Sequence, residues 1–129
     1  MSGLMIKLRP REQIMINGVV IENGLRSSHL RILTEEANIL RMRDAIPSDA
    51  ATTPLRRAYY FAQQAVAGLL TQTEAAARIN EELPYLKDEL PDRVFLSVVQ
   101  HISDYEFYAV MRDLWDRVIG PEKGARERR

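Results

Sequence analysis

Lys7 and Arg9, then Arg31 close to His29, then Arg41 and Arg43, recur at two-residue spacing within short apolar runs. In an extended strand successive side chains point to opposite faces, so this spacing sets the cations against the apolar residues of their own strands. If these strands share one sheet, the cations collect on its outer face. Such a face suits RNA, whose phosphates supply affinity and whose unstacked bases lie on guanidinium planes. The strand region contains no Phe, Tyr or Trp, which excludes an aromatic platform there. A plainer account stands beside this one, because half-exposed strands put Lys and Arg on their wet side whatever they bind.

A second basic group lies in Thr52-Thr53-Pro54-Leu55-Arg56-Arg57-Ala58-Tyr59. The spacing places Arg56 and Arg57 in the first turn of a helix, where the dipole disfavours cations by about 0.3–1 kcal/mol each. Cations beside free amide N–H groups make an anion site, and Tyr59 adds stacking surface; the plainer account here is a core tyrosine with exposed arginines. The candidate RNA contacts are therefore Lys7, Arg9, Arg31, Arg41, Arg43, Arg56, Arg57 and Tyr59. Near the other end, Tyr105, Tyr108 and Trp115 fall partly off the main apolar stripe and are candidates for contact with a protein partner.

Catalytic chemistry is poorly supplied. There is no cysteine and only His29 and His101, far apart and outside any metal-ligand spacing. No phosphate-binding glycine loop or nucleophile elbow is present. Glu81-Glu82 and Asp88-Glu89 read as solvated surface, since adjacent helical acids diverge. We therefore expect no catalytic residue, no metal and no cofactor.

Residues 1–50 read as four or five short antiparallel strands with turns near Pro10, Asn17, Asn23 and Glu35. Asn17-Gly18 between apolar runs is a strong hairpin signal, because both residues accept positive φ. Ile46 to Ala51 is a polar, Pro-bearing connector, and Thr53 is a good N-cap with Pro54 at the first helical position. Apolar residues then keep three-four spacing through Leu69. Thr71 and Glu74 form a capping-box pattern for a second helix ending before Pro84. Val94 to Ile102 and Phe107 to Val118 continue the helical stripe, with a second box at Ser103 and Glu106 that marks a break. The expected fold is α+β: a small amino-terminal antiparallel sheet followed by three to four helices over 51–121, packed as one domain, with a charged flexible tail at 122–129. The open edges of so short a sheet allow pairing across a two-fold axis, hence a homodimer.

Across 129 residues, 18 Lys+Arg balance 18 Asp+Glu, which excludes a protein that coats nucleic acid by bulk charge. The balance hides a polarity: nine bases meet six acids through Arg57, and nine meet twelve beyond it. The length buries roughly two-thirds of the unfolded surface, enough for a core without metal or disulfide. No apolar run reaches the ~18–20 residues of a membrane span and no signal peptide is legible, so a cytoplasmic protein is expected.

Ile16-Asn17-Gly18, Asn23-Gly24, Asn38-Ile39-Leu40-Arg41 with Arg43-Asp44, and Thr52-Thr53-Pro54 through Arg56-Arg57 to Tyr59-Tyr60 together resemble the FlbT family, small bacterial regulators of flagellin expression. The resemblance covers Leu4 to Phe61 in detail and the helical part by length and pattern. It implies post-transcriptional control through association with the 5′ untranslated region of flagellin mRNA, altering its stability or translation, usually as a repressor. It also implies a FlaF-type partner. The competing reading is an interaction module that binds flagellin or a FlaF-type protein through the carboxy-terminal helices and does not touch RNA.

Overall fold

The computed structural model describes residues 3–121; the tail expected at 122–129 lies outside them. Five strands open the fold: β1 (Leu4–Leu8), β2 (Gln13–Ile16), β3 (Val19–Glu22), β4 (Ser28–Ile32) and β5 (Ile39–Arg41). Short 3-10 turns at Met42–Asp44 and Ser48–Ala50 lead to α1 (Pro54–Val66), α2 (Gln72–Leu86), α3 (Asp92–Ser103) and α4 (Phe107–Val118). The architecture is α+β.

The strands form two antiparallel sheets, β1-β4 and β3-β2-β5, and not the single sheet that the basic alternation presupposed. Their apolar sides face one another. Ile6, Leu8 and Ile14 are buried there with Ile16, Leu30, Ile32 and Ile39 around them. β2 alternates between two cores, since Ile14 joins this small cluster while Met15 packs on the larger helical one. The Asn17-Gly18 hairpin forms as expected, with φ of 49° and 85°. Asn23 works differently from a simple turn residue. Its amide donates to the Arg9 and Arg26 carbonyls (2.8 and 2.9 Å) and its oxygen accepts from Ser28 Oγ (2.7 Å), tying three loop segments together.

Helix α1 is the hub, packed against both α2 and α4. Ala58 and Ala62 are fully buried on it, and their small side chains permit that close approach. Thr53 Oγ1 accepts from the Arg56 amide (3.1 Å) with Pro54 next to it, and Thr71 Oγ1 does the same for Glu74 (3.1 Å). Helix α2 runs through Pro84 to Leu86, correcting the expected stop. Proline removes one hydrogen bond at a cost of about 3 kcal/mol, but Leu86, the last residue of the helix, is fully buried and holds the last turn onto the core. The α3–α4 break occurs where expected, though without the Ser103–Glu106 box: no side chain caps α4.

The α1 and α3 ends close in the same way. After α1 the Leu69 amide donates to the Gln64 carbonyl and Gly68 to Ala65; after α3 Glu106 donates to His101 and Tyr105 to Ile102. This paired pattern places the residue past the cap in the left-handed region, which glycine accepts freely. Gly68 (φ 76°) fits, and any Cβ there meets the Asn38 side chain at 2.5 Å. At the second site the residue is Tyr105, at φ 57°. For so bulky a side chain that is a true outlier, costing on the order of 1–3 kcal/mol.

Candidate nucleic-acid interface

The strand cations divide into three settings. Lys7 and Arg31 are exposed on the outer face of the β1-β4 sheet, where Lys7 pairs with His29 and Arg31 with Met5 across the ladder. Arg41 and Arg43 converge on Glu12. This carboxylate, 6% exposed, accepts from Arg41 Nη1 at 2.8 Å and from the Arg9 amide at 2.9 Å, with Arg43 Nε further off at 3.8 Å. Arg57 is held by a fork of two bonds to Glu82, Nε to Oε2 at 3.1 Å and Nη2 to Oε1 at 3.2 Å. Glu82 is buried against this partner while Glu81 is exposed, so only Glu81 keeps the surface role expected of both. Arg56 lies in the first turn of α1, half-buried.

Burial pushes the Glu12 carboxyl up, but the Arg9 amide and the Arg41 and Arg43 guanidiniums outweigh it and hold its pKa below the ordinary glutamate value. A carboxyl whose folded pKa is depressed stabilises the fold above its unfolded pKa, ~4.3, and that contribution fades as pH falls through the lower folded value. Urea unfolding between pH 7 and pH 3 should show this as an acid loss of stability. Glu12→Gln should be less stable by about 1–3 kcal/mol at pH 7, with the gap to the parent closing toward pH 3. A gap independent of pH would remove Glu12 from this role.

Tyr59 is packed into the core, at the floor of the cleft described below. It is 0% exposed, so its ring offers no stacking surface, and its hydroxyl donates to the Asp44 carbonyl at 2.6 Å. Burial, with the Asp44 charge adding to it, pushes its pKa well above the usual tyrosine value. Trp115 is half-buried and donates through Nε1 to Asp44 Oδ1 at 3.1 Å. Asp44, carried by the turn that follows β5, thus ties the strand region to α1 and α4 together. Tyr105 and Tyr108 remain on the surface, 42% and 56% exposed.

What the fold does assemble is a cleft of about 400 Å³ between the strand region and α4. Arg9, Arg43 and Arg112 line it with Tyr108 and Trp115, and the acids in its wall are Asp44 and Asp116. Asp44 is already engaged by Trp115. Among the described residues the guanidiniums of Arg9 and Arg112 make no ion pair, and Arg43 has only its long contact to Glu12. Two of the strand cations thereby meet two of the aromatics that sequence reasoning had assigned to a separate, protein-binding surface. Arg112 was missed. The signal was present in the spacing, because Tyr108, Arg112 and Trp115 sit four and three residues apart and so share one face of α4.

A second groove of about 830 Å³ continues from this cleft, sharing Asp44, Tyr108 and Arg112 with it. His101 is elsewhere. Its Nδ1 lies 2.7 Å from Asp113 Oδ2, and Ser97 Oγ donates to the other oxygen of Asp113 at 3.0 Å. Serine and carboxylate crowd the same ring nitrogen, so the trio staples α3 to α4 and lacks the relay order of a nucleophilic triad. Among the described residues no three His, Cys, Asp or Glu gather as metal ligands, and no helix is long and apolar enough to cross a membrane.

Comparison with known proteins places the chain among flagellar regulators. The family model described as "Flagellar protein FlbT" matches residues 4–117. The flagellum biosynthesis repressor protein FlbT of Caulobacter vibrioides (strain ATCC 19089 / CIP 103742 / CB 15) is 28% identical over 112 residues, covering 84% of this chain and 79% of its own. A probable flagellum biosynthesis repressor protein FlbT of Caulobacter sp. (strain K31) is 32% identical over 115 residues, covering 84% of this chain and 85% of its own. A third protein of that name, from Mesorhizobium japonicum (strain LMG 29417 / CECT 9101 / MAFF 303099), is 29% identical over 102 residues, covering 79% and 68%. No solved structure matches the chain significantly.

Proposed function

The chain belongs to the FlbT family, and from that premise we propose that it regulates flagellar synthesis by associating with the 5′ untranslated region of flagellin mRNA in the cytoplasm, promoting degradation of the message or repressing its translation. The names of its relatives support the regulatory part, since they describe repressors of flagellum biosynthesis and not enzymes. The observation that carries the RNA part is the cleft in which Arg9, Arg43 and Arg112 surround Tyr108 and Trp115. Guanidiniums beside aromatic rings take phosphates and unstacked bases together. In this reading any cleavage of the message falls to a recruited nuclease.

A second reading rests on a different surface. Leu96, 65% exposed, and Val99 stand three residues apart on the outer side of α3, as apolar anchors for a protein such as flagellin or a FlaF-type partner. The two readings separate in one experiment. Ultraviolet crosslinking in cells followed by sequencing of bound RNA is expected to recover flagellin 5′ untranslated regions. A protein complex that survives RNase with no crosslinked RNA would overturn the first reading and favour the second.

A further inference from the structure

The 830 Å³ groove is lined by consecutive residues of two strands, Leu4, Met5 and Ile6 of β1 and residues 38–41 around β5. Consecutive strand residues point to opposite faces, so a groove that touches all of them runs along strand edges. Among the described residues both strands are ladder ends: β1 pairs only with β4, and β5 only with β2. Each therefore has a side whose backbone N–H and C=O groups are unused by the ladders. Tyr105 and Tyr108 line the same groove. Tyr105 holds its place there in a left-handed conformation, at the position that α1 gives to glycine. Such strain persists where a side chain is wanted for itself.

We propose that this groove receives the bases of an unpaired RNA tract whose phosphates lie in the adjoining Arg9–Arg43–Arg112 cleft. The inference rests on the RNA reading and deepens it. Unpaired bases expose hydrogen-bonding edges, which the open β1 and β5 backbones can match, and faces, which Tyr105 and Tyr108 can stack. A duplex offers neither. The three guanidiniums that the groove reaches through Tyr108 and Arg112 favour RNA over an extended apolar peptide as the occupant, with Asp44, Glu106 and Asp116 as the acids in the same walls. The groove also supplies the selectivity that a chain of zero net charge cannot draw from bulk attraction.

The test is fluorescence anisotropy on the full chain with two probes: the flagellin 5′ untranslated region as a single strand, and the same strand annealed to its complement. The single strand should bind at least tenfold tighter. Tyr108→Ala and Tyr105→Gly should each weaken single-strand binding roughly five- to a hundredfold while leaving the duplex affinity and the salt slope as they are. Tyr105→Gly guards against misfolding, because glycine relieves φ at that position and should hold or raise the melting temperature. Tyr105→Phe should restore binding. Equal affinity for both probes, with neutral tyrosine variants, overturns the groove and leaves the RNA reading standing. Failure of both probes to bind overturns both. Tyrosine variants that lose flagellin capture with RNA affinity intact would give the groove to a protein.

Discussion

A triple variant with alanine at Arg9, Arg43 and Arg112 is expected to bind flagellin leader RNA about a hundredfold more weakly at 0.1 M salt while remaining folded. Each phosphate neutralised on a single strand contributes about −0.7 to the slope of log K against log salt. Three lost contacts should therefore flatten that slope by about 2, which at 0.1 M corresponds to about two decades of affinity. The three residues are separable from the fold: Arg9 and Arg112 hold no ion pair among the described residues, and the Arg43 contact to Glu12 is 3.8 Å long. Surface substitutions of this kind stay within about 0.5 kcal/mol. Titrations from 50 to 200 mM salt, with circular dichroism as the fold control, decide the matter. An unchanged slope would remove the cleft from RNA binding.

Arg41→Ala should behave differently, and the contrast separates the neighbouring strand cations. Its guanidinium meets a carboxylate 6% exposed, so its loss strands a nearly buried charge and weakens the fold before it weakens any ligand. Arg57, forked onto Glu82, belongs to the same class.

That division was beyond reach of the sequence for a physical reason. Alternation reports which face a side chain takes on its own strand, and it does so correctly for Lys7 and Arg31. It says nothing of which sheet the strand joins or what carboxylate faces it. Glu12 and Arg41 are 29 residues apart, and Trp115 and Asp44 are 71 apart. Local signals fared better because their partners are local: Thr53 and Pro54 open α1, Thr71 opens α2, and Asn17-Gly18 turns the hairpin. Pro84 misled because a local penalty was outweighed by the burial of Leu86, whereas Tyr59 stands at four-three spacing with Leu55 and Ala62 on the apolar stripe, so its place in the core was legible in the helical pattern. The cleft itself could be anticipated only in halves, as cations on strands and as one face of α4. Only the packing of α4 beside the turn that carries Arg43 and Asp44 joins them.

That packing depends on a buried amide, and Gln63→Leu is expected to cost about 2–5 kcal/mol of stability. Gln63 is 5% exposed on α1. Its Oε1 accepts from the Ile46 amide at 2.8 Å, and its Nε2 donates to the Ile46 carbonyl at 3.0 Å. Ile46 lies in the connector beyond β5 and has no ladder partner, so the side chain satisfies both of its backbone groups as a neighbouring strand would. Leucine preserves volume and leaves a buried N–H and C=O unpaired, each at about 1–3 kcal/mol. Gln63→Glu makes a sharper test. The ionised carboxylate keeps the bond from the Ile46 amide but faces its carbonyl with like polarity, whereas the protonated acid donates to that carbonyl. Its folded pKa should therefore be raised, so the variant is stable below the ordinary glutamate pKa and loses stability as pH rises through the folded value. Chemical denaturation at pH 4 and pH 7 should show Gln63→Glu recovering at the lower pH while Gln63→Leu does not. Parallel behaviour of the two would mean that packing at this site, and not the paired amide, holds the connector. Because Asp44 and Arg43 sit just before Ile46, the same variants should also loosen the cleft, lowering RNA affinity at temperatures where the helices remain folded.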